Sequence, residues 1–266
     1  MRGNTIAALG LALLTLAAGT AEGQRRRGPR VRPADIEERL DSADRDVVEL
    51  AIETIGLSGN PSFVPLLAAR ITKGLPPELL GAAVDTLTVL ARPEAGEVLF
   101  VLLSHRRAEI RARAVGGIIS CRPDGASSAL QAALSDQDEH VRSAAAVGLG
   151  QIEATDATDA LFHALDRHIL EAATSLGQLV AAGEVARVLA YLGQVPFDVL
   201  NPALSEIIAR ENMAQETKLE VLGRIAELAT PDARQFLVDA AAAVPDDRRH
   251  RALREAATAA AERIVQ

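Results

Sequence analysis

The stretch from Glu109 to Ile118 is written again from His140 to Leu149. Ile110, Arg111, Ala114 and Gly117 fall on Val141, Arg142, Ala145 and Gly148, each 31 residues later. The register continues into the segments that follow, where Ala126, Leu130 and Leu134 fall on Ala157, Leu161 and Leu165. Leu99 and Leu103 stand one period before Leu130 and Leu134. A unit of this size cannot bury its own apolar face, so a fixed period implies stacked neighbours that share one continuous core.

What such units are made of follows from composition. The chain is 48% hydrophobic but only 2% aromatic, with no Trp and the single Tyr191. Its core must therefore be built from Ala, Leu, Val and Ile at short helix–helix distances, because strands draw on aromatic and β-branched residues. The reading is an all-α, right-handed α-solenoid of stacked antiparallel helix pairs over residues 35–266. First helices are expected near 45–57, 77–91, 108–121, 139–152, 168–181, 198–211 and 230–243. Asn60, Asp138, Thr230 and Asp246 have N-cap chemistry, and Asp247–Val265 reads as an amphipathic end helix. Residues 193–202 carry two prolines and break the register, which predicts a bend or a boundary between sub-arrays.

The first 21 residues read as an export signal. Arg2 supplies the positive n-region, Ile6 to Ala18 the apolar h-region, and Gly19-Thr20-Ala21 the small residues at a cleavage site. Cleavage is expected after Ala21, giving a periplasmic or extracellular protein. Residues 22–34 are charged and interrupted by Gly and Pro, which predicts a disordered basic linker. Its Arg25, Arg26, Arg27, Arg30 and Arg32 are a candidate contact for anionic surfaces. Residues 1–33 carry a net of +5, so the formal −8 of the whole chain leaves the body at −13. An acidic body lacks the basic stripe that displaces phosphate counterions, which argues against nucleic acid as a ligand. With Cys121 as the one cysteine, no internal disulfide is possible; its place in the repeat, matching Leu90 and Ile152, predicts a core residue.

The run Asp138-Glu139-His140-Val141-Arg142 through Ala145, Gly148, Leu149 and Ile152, followed by Ala157, Leu161 and Leu165, resembles the short HEAT repeat of the phycobilisome-lyase type. Ile110, Arg111, Ala114 and Ile118 repeat the pattern, and Val47, Ala51, Ile55, Leu79, Ala83 and Leu87 keep parts of it. The resemblance covers about residues 44–167. It implies the helix-pair fold and a surface for protein partners, and it is nearly silent on activity.

Among HEAT-type proteins the hydroxylases hold a di-iron centre on His-Glu doublets. None of His105, His140, His163, His168 and His250 precedes a Glu. Asp159 and His163, at i and i+4, offer only two metal ligands, and no phosphate loop, CxxC pair or nucleophile elbow occurs. The expectation is a non-catalytic scaffold for protein–protein interaction, with no cofactor and no metal. The alternative is an enzyme or enzyme subunit using His163, His168 and the 193–202 segment.

Two sets of residues stand out as candidates. Arg111 and Arg142 share a register, as a ladder that either faces a partner or braces the stack through Glu109, Asp136 or Asp138. Phe100, Gln131 and Phe162 share another on the second helices, flanked by Val101, Ala132 and His163. At about 100° per residue these positions lie off the apolar arc of Val98, Leu99, Leu102 and Leu103. They form either an exposed partner-binding ridge or a row of rings tucked under neighbouring helices.

Overall fold

The structure, a computed structural model, describes residues 32–264. The expected export signal, its cleavage after Ala21, and Arg25, Arg26, Arg27 and Arg30 of the basic run lie outside the described residues. The first helix, α1 (Pro33–Leu40), begins two residues earlier than the linker reading allowed, with Pro33 at a helix start where its missing N–H costs nothing.

Seven helix pairs follow. They are α2 (Arg45–Ser58) with α3 (Val64–Lys73), α4 (Pro77–Leu90) with α5 (Gly96–Leu102), and α6 (Ala108–Cys121) with α7 (Ala126–Ala133). Next come α8 (Glu139–Gln151) with α9 (Thr158–Asp166), and α10 (Ala172–Leu179) with α11 (Val185–Leu189). The last are α12 (Phe197–Ala209) with α13 (Gln215–Ala226), and α14 (Pro231–Ala243) with α15 (Arg251–Arg263). Successive first helices α2, α4, α6, α8, α10 and α12 pack side by side in one layer, and no strand occurs among the described residues. The array from Pro33 onward is one compact unit.

The period of the sequence becomes the period of the core. Ile110, Ala114, Val115, Gly117 and Ile118 of α6 are buried, and so are Val141, Ala145, Ala146, Gly148 and Leu149 of α8. On the second helices Leu99, Leu130 and Leu161 are fully buried. The helices pack closely because glycines leave room for the neighbouring helix, side chains at Gly117 and Gly148 and backbone at Gly177. A methyl group on Gly117 would sit 2.7 Å from Leu99 Cδ2, one on Gly148 2.5 Å from Ile119 Cδ1, and one on Gly177 2.5 Å from Ala203 Cα.

Expected caps start several helices, and three helix stops are periodic. Asn60, Asp138 and Thr230 cap as expected, each side chain accepting from a backbone N–H two or three residues on. Asp246 does not. It pairs with Arg254, and Asp247 accepts the backbone N–H of His250, so α15 starts at Arg251 rather than at 247. Residues in left-handed backbone close three successive first helices 31 residues apart, at Ala91, Arg122 and Glu153. His168, at φ 63°, is left-handed too, which delays the next helix to Ala172. In the 193–202 segment Gly193 makes the turn. α12 runs straight through Pro202, which forgoes only the bond to the carbonyl of residue 198. α10 packs directly on α12, so the stack continues through this segment.

Candidate functional site

Arg111 and Arg142 brace the turns between repeats. Arg111 grips Asp136 with two parallel bonds, Nε to Oδ2 at 2.7 Å and Nη2 to Oδ1 at 2.6 Å, and gives Nη1 to the carbonyl of His105 at 2.9 Å. Arg142 makes the equivalent reach one period on, donating Nη1 to the carbonyls of Asp136 at 2.9 Å and Gln137 at 3.1 Å. Both guanidiniums thus turn back six residues onto the loop that enters their own helix. The Arg111 hydrogen bonds hold the Asp136 carboxyl below the usual carboxylate range against the opposing effect of burial. Both arginines therefore brace the inter-repeat turns, Arg111 through the Asp136 carboxylate and Arg142 through backbone carbonyls.

The second-helix residues divide. Phe100 is half-buried, its ring edge 3.9 Å from where a side chain on Gly125 would begin, so it lies over the turn that leads into α7. Val101 beside it is 72% exposed. Gln131 donates to Ser127 Oγ at 3.0 Å and to Asp156 Oδ2 at 3.2 Å, and Ser127 donates to the same carboxylate at 2.9 Å. Phe162, expected off the core arc, is only 3% exposed. The reason is the next repeat: the Arg187 guanidinium lies 3.8 Å above its ring centroid, and Tyr191 stacks on it with centroids 6.3 Å apart. Phe162 as an open anchor is therefore corrected to a covered ring.

Each of Phe100, Gln131 and Phe162 reaches forward to the following repeat, so the shared register persists although the three do not form one open ridge. Around the covered ring, His163, Asp166, Arg187, Tyr191 and Gln194 line a shallow cleft of about 310 Å³. Arg187 is fixed there by Asp159 at 2.8 Å and Glu184 at 3.2 Å. Tyr191 donates to Asp166 Oδ1 at 2.5 Å, and burial together with that anion pushes its phenol up to about 12. Asp159, the residue that might have joined His163 around a metal, is thus occupied by Arg187. Among the described residues no group of three or more His, Cys, Asp or Glu is placed to hold a metal ion. His163 and His168 are both exposed.

Cys121 is buried, with Sγ 3.6 Å from the carbonyl oxygen of Leu87, and burial pushes its thiol up. The core reading from its repeat position holds.

Arg187 and Tyr191 went unnoticed in the sequence because α11 departs from the 31-residue period and no register carries them. Lys218 is a second omission with a legible signal. It stands at the first position of the i, i+3, i+4, i+7 stripe completed by Val221, Leu222 and Ile225, and it is buried with them.

Residues 96–177 match the family described as HEAT repeats. A search of the curated proteins finds no match. Among known structures, a chain of the AP-3 complex, given as a homology model in an intermediate open conformation, aligns with a TM-score of 0.52 at 18% identity. The alignment covers 88% of this chain and 51% of that one, so this chain spans about half its length. The complex of CpcE and CpcF of phycocyanin lyase from Nostoc sp. aligns with a TM-score of 0.46 at 17% identity, over 93% of this chain and 100% of that one. Human deoxyhypusine hydroxylase in complex with glycerol gives 0.41 at 17% identity, over 86% and 94%. These likenesses concern fold. Residues 96–177 thus match the HEAT-repeat family, and the described chain as a whole is an α-solenoid of stacked helix pairs.

Proposed function

We propose that this chain is an exported, non-catalytic scaffold that captures a protein partner on the second-helix face around Phe100 and Val101. The observation that carries this reading is the Val101 side chain, apolar and 72% exposed, beside the half-buried ring of Phe100 on a helix whose other apolar residues are in the core. A rigid repeat array presents such residues at fixed spacing, so little order has to be imposed on binding. The acidic body favours partners with a basic or neutral surface and disfavours nucleic acid. Export is supported by the leader, with its n-region, short apolar h-region and small residues before Glu22. No described helix is long and apolar enough to cross a membrane.

The test is affinity capture from the native envelope with the wild-type chain and with Phe100→Ala combined with Val101→Asp. Loss of specific partners without loss of thermal stability supports the reading. Unchanged capture by the double variant overturns the assignment of this face. Intact-mass measurement of the native protein tests export: a chain beginning at Glu22 is expected, and one that retains residues 1–21 overturns cleavage after Ala21.

A further inference from the structure

Lys218, a residue buried but for a small opening, lines two adjoining cavities near the C-terminal end of the array. The larger, about 390 Å³, lies among α12, α13, α14 and α15 with Ile208, Phe236, Val244 and Leu253 as its apolar wall. The second, about 360 Å³, opens beside it toward Asn212 and Arg249. Lys218, Glu211, His250 and Leu253 line both. The larger volume falls within the range of small-molecule pockets, about 300–1,000 Å³, and its mostly apolar wall with a few polar groups is their usual composition.

Lys218 is only 8% exposed; its Nζ makes no hydrogen bond or ion pair with any described residue, and it is the accessible tip of an otherwise buried side chain. Lys73, the other lysine, is exposed and paired with Asp41 at 2.8 Å. An ammonium with a buried stem and no counter-charge is partly desolvated, and a charged group perturbed by desolvation in a cleft marks a candidate binding site. Burial holds this amine below the ordinary lysine value, Arg249 pushes it the same way, and Glu211 opposes both. At the mouth, Arg249 and Glu211 are exposed, while His250 is held by Asp247 at 2.8 Å and makes no bond to the lysine.

We propose that this site binds a small amphipathic carboxylate, its apolar body in the cavity walled by Phe236 and Leu253 and its head group on Lys218. A carboxylate supplies the counter-ion that the fold omits, and Arg249 at the opening adds a second cation along the entry path. The chain's own acids do not fill this role: Glu211 stays at the solvent-exposed rim out of ion-pair reach of Nζ, and Asp239 is engaged by Gln235 at 2.8 Å. A neutral ligand of the same shape would gain the apolar wall but leave the ammonium unpaired.

The experiment is calorimetric titration of the full mature chain with decanoate and, separately, with decanol. Wild type is expected to bind one decanoate per chain, more tightly than decanol. Lys218→Met, close in size and apolar, should weaken decanoate by about tenfold or more, the worth of a charge-assisted hydrogen bond, and leave decanol unchanged. Glu211→Gln, at an exposed position that does not bear on folding, should tighten decanoate by removing the competing anion. Equal decanoate affinity in wild type and Lys218→Met, or no decanoate binding by wild type, would overturn the proposal.

Discussion

Arg111 and Asp136 form a two-pronged ion pair across 25 residues of chain, with side chains only 14% and 11% exposed. Asp136 also accepts the backbone N–H of Asp138 at 2.8 Å and lends its own carbonyl to Arg142, so this one residue ties two rungs of the stack together. Bidentate geometry and burial set the pair apart from the exposed ion pairs elsewhere, which contribute little. Asp136→Ala should strand the Arg111 guanidinium and destabilise the fold by about 3 kcal/mol.

The same pair makes a pH prediction. The Asp136 carboxyl titrates below its unfolded value, so its contribution is fully present above the ordinary carboxylate range and is lost as pH falls through the depressed folded value. Unfolding free energy measured between about pH 5 and about pH 2 should fall more steeply for wild type than for Asp136→Asn. Parallel curves would show that the pair carries no linkage.

Tyr191 is the only tyrosine, so its phenolate absorbance reports one site. Its titration in the folded protein should centre at about 12, and Asp166→Asn should bring it down toward the ordinary value. Because the folded value is raised, the stability it confers is complete below the unfolded value of about 10 and is lost as pH rises toward the folded one.

Two first-helix glycines, Gly116 and Gly177, should respond oppositely to alanine. Gly116, with nothing within 4 Å of an added methyl, should gain roughly 0.5–1 kcal/mol from helix propensity and reduced backbone freedom. At Gly177 the methyl would meet the Ala203 backbone at 2.5 Å, so α10 and α12 must part, at a cost of about 1–3 kcal/mol. Chemical denaturation of the two variants checks both signs.

Truncation of the two rings should separate core from surface. Phe162→Ala removes a ring covered by Arg187 and Tyr191 and should cost about 3–5 kcal/mol, whereas Phe100→Ala, at a half-buried ring, should cost markedly less. Thermal melts of the single variants suffice. Lys218→Met should leave stability unchanged or raise Tm slightly, because the buried stem is replaced by an apolar chain of similar size and a partly desolvated charge is removed.

What the sequence settled by itself is whatever the 31-residue period carries. Seven first helices fell within a few residues of their expected places because each carries an apolar stripe bounded by turn residues, and Arg111 and Arg142 were legible as a shared register because the period carries them. Cys121 was legible as core from its slot alone. Only the tertiary structure decided the fate of groups whose neighbours come from another repeat without a matching register. Phe162 lies off its own helix's apolar arc yet is buried, because the lid belongs to α11, where the period has lapsed. The left-handed ends at Ala91, Arg122 and Glu153 left no glycine for a reader to find, since the surrounding stack holds non-glycine residues in that backbone. Lys218 shows the same division: its place on the apolar stripe was written in the sequence, but the cavities it lines exist only where four helices come together.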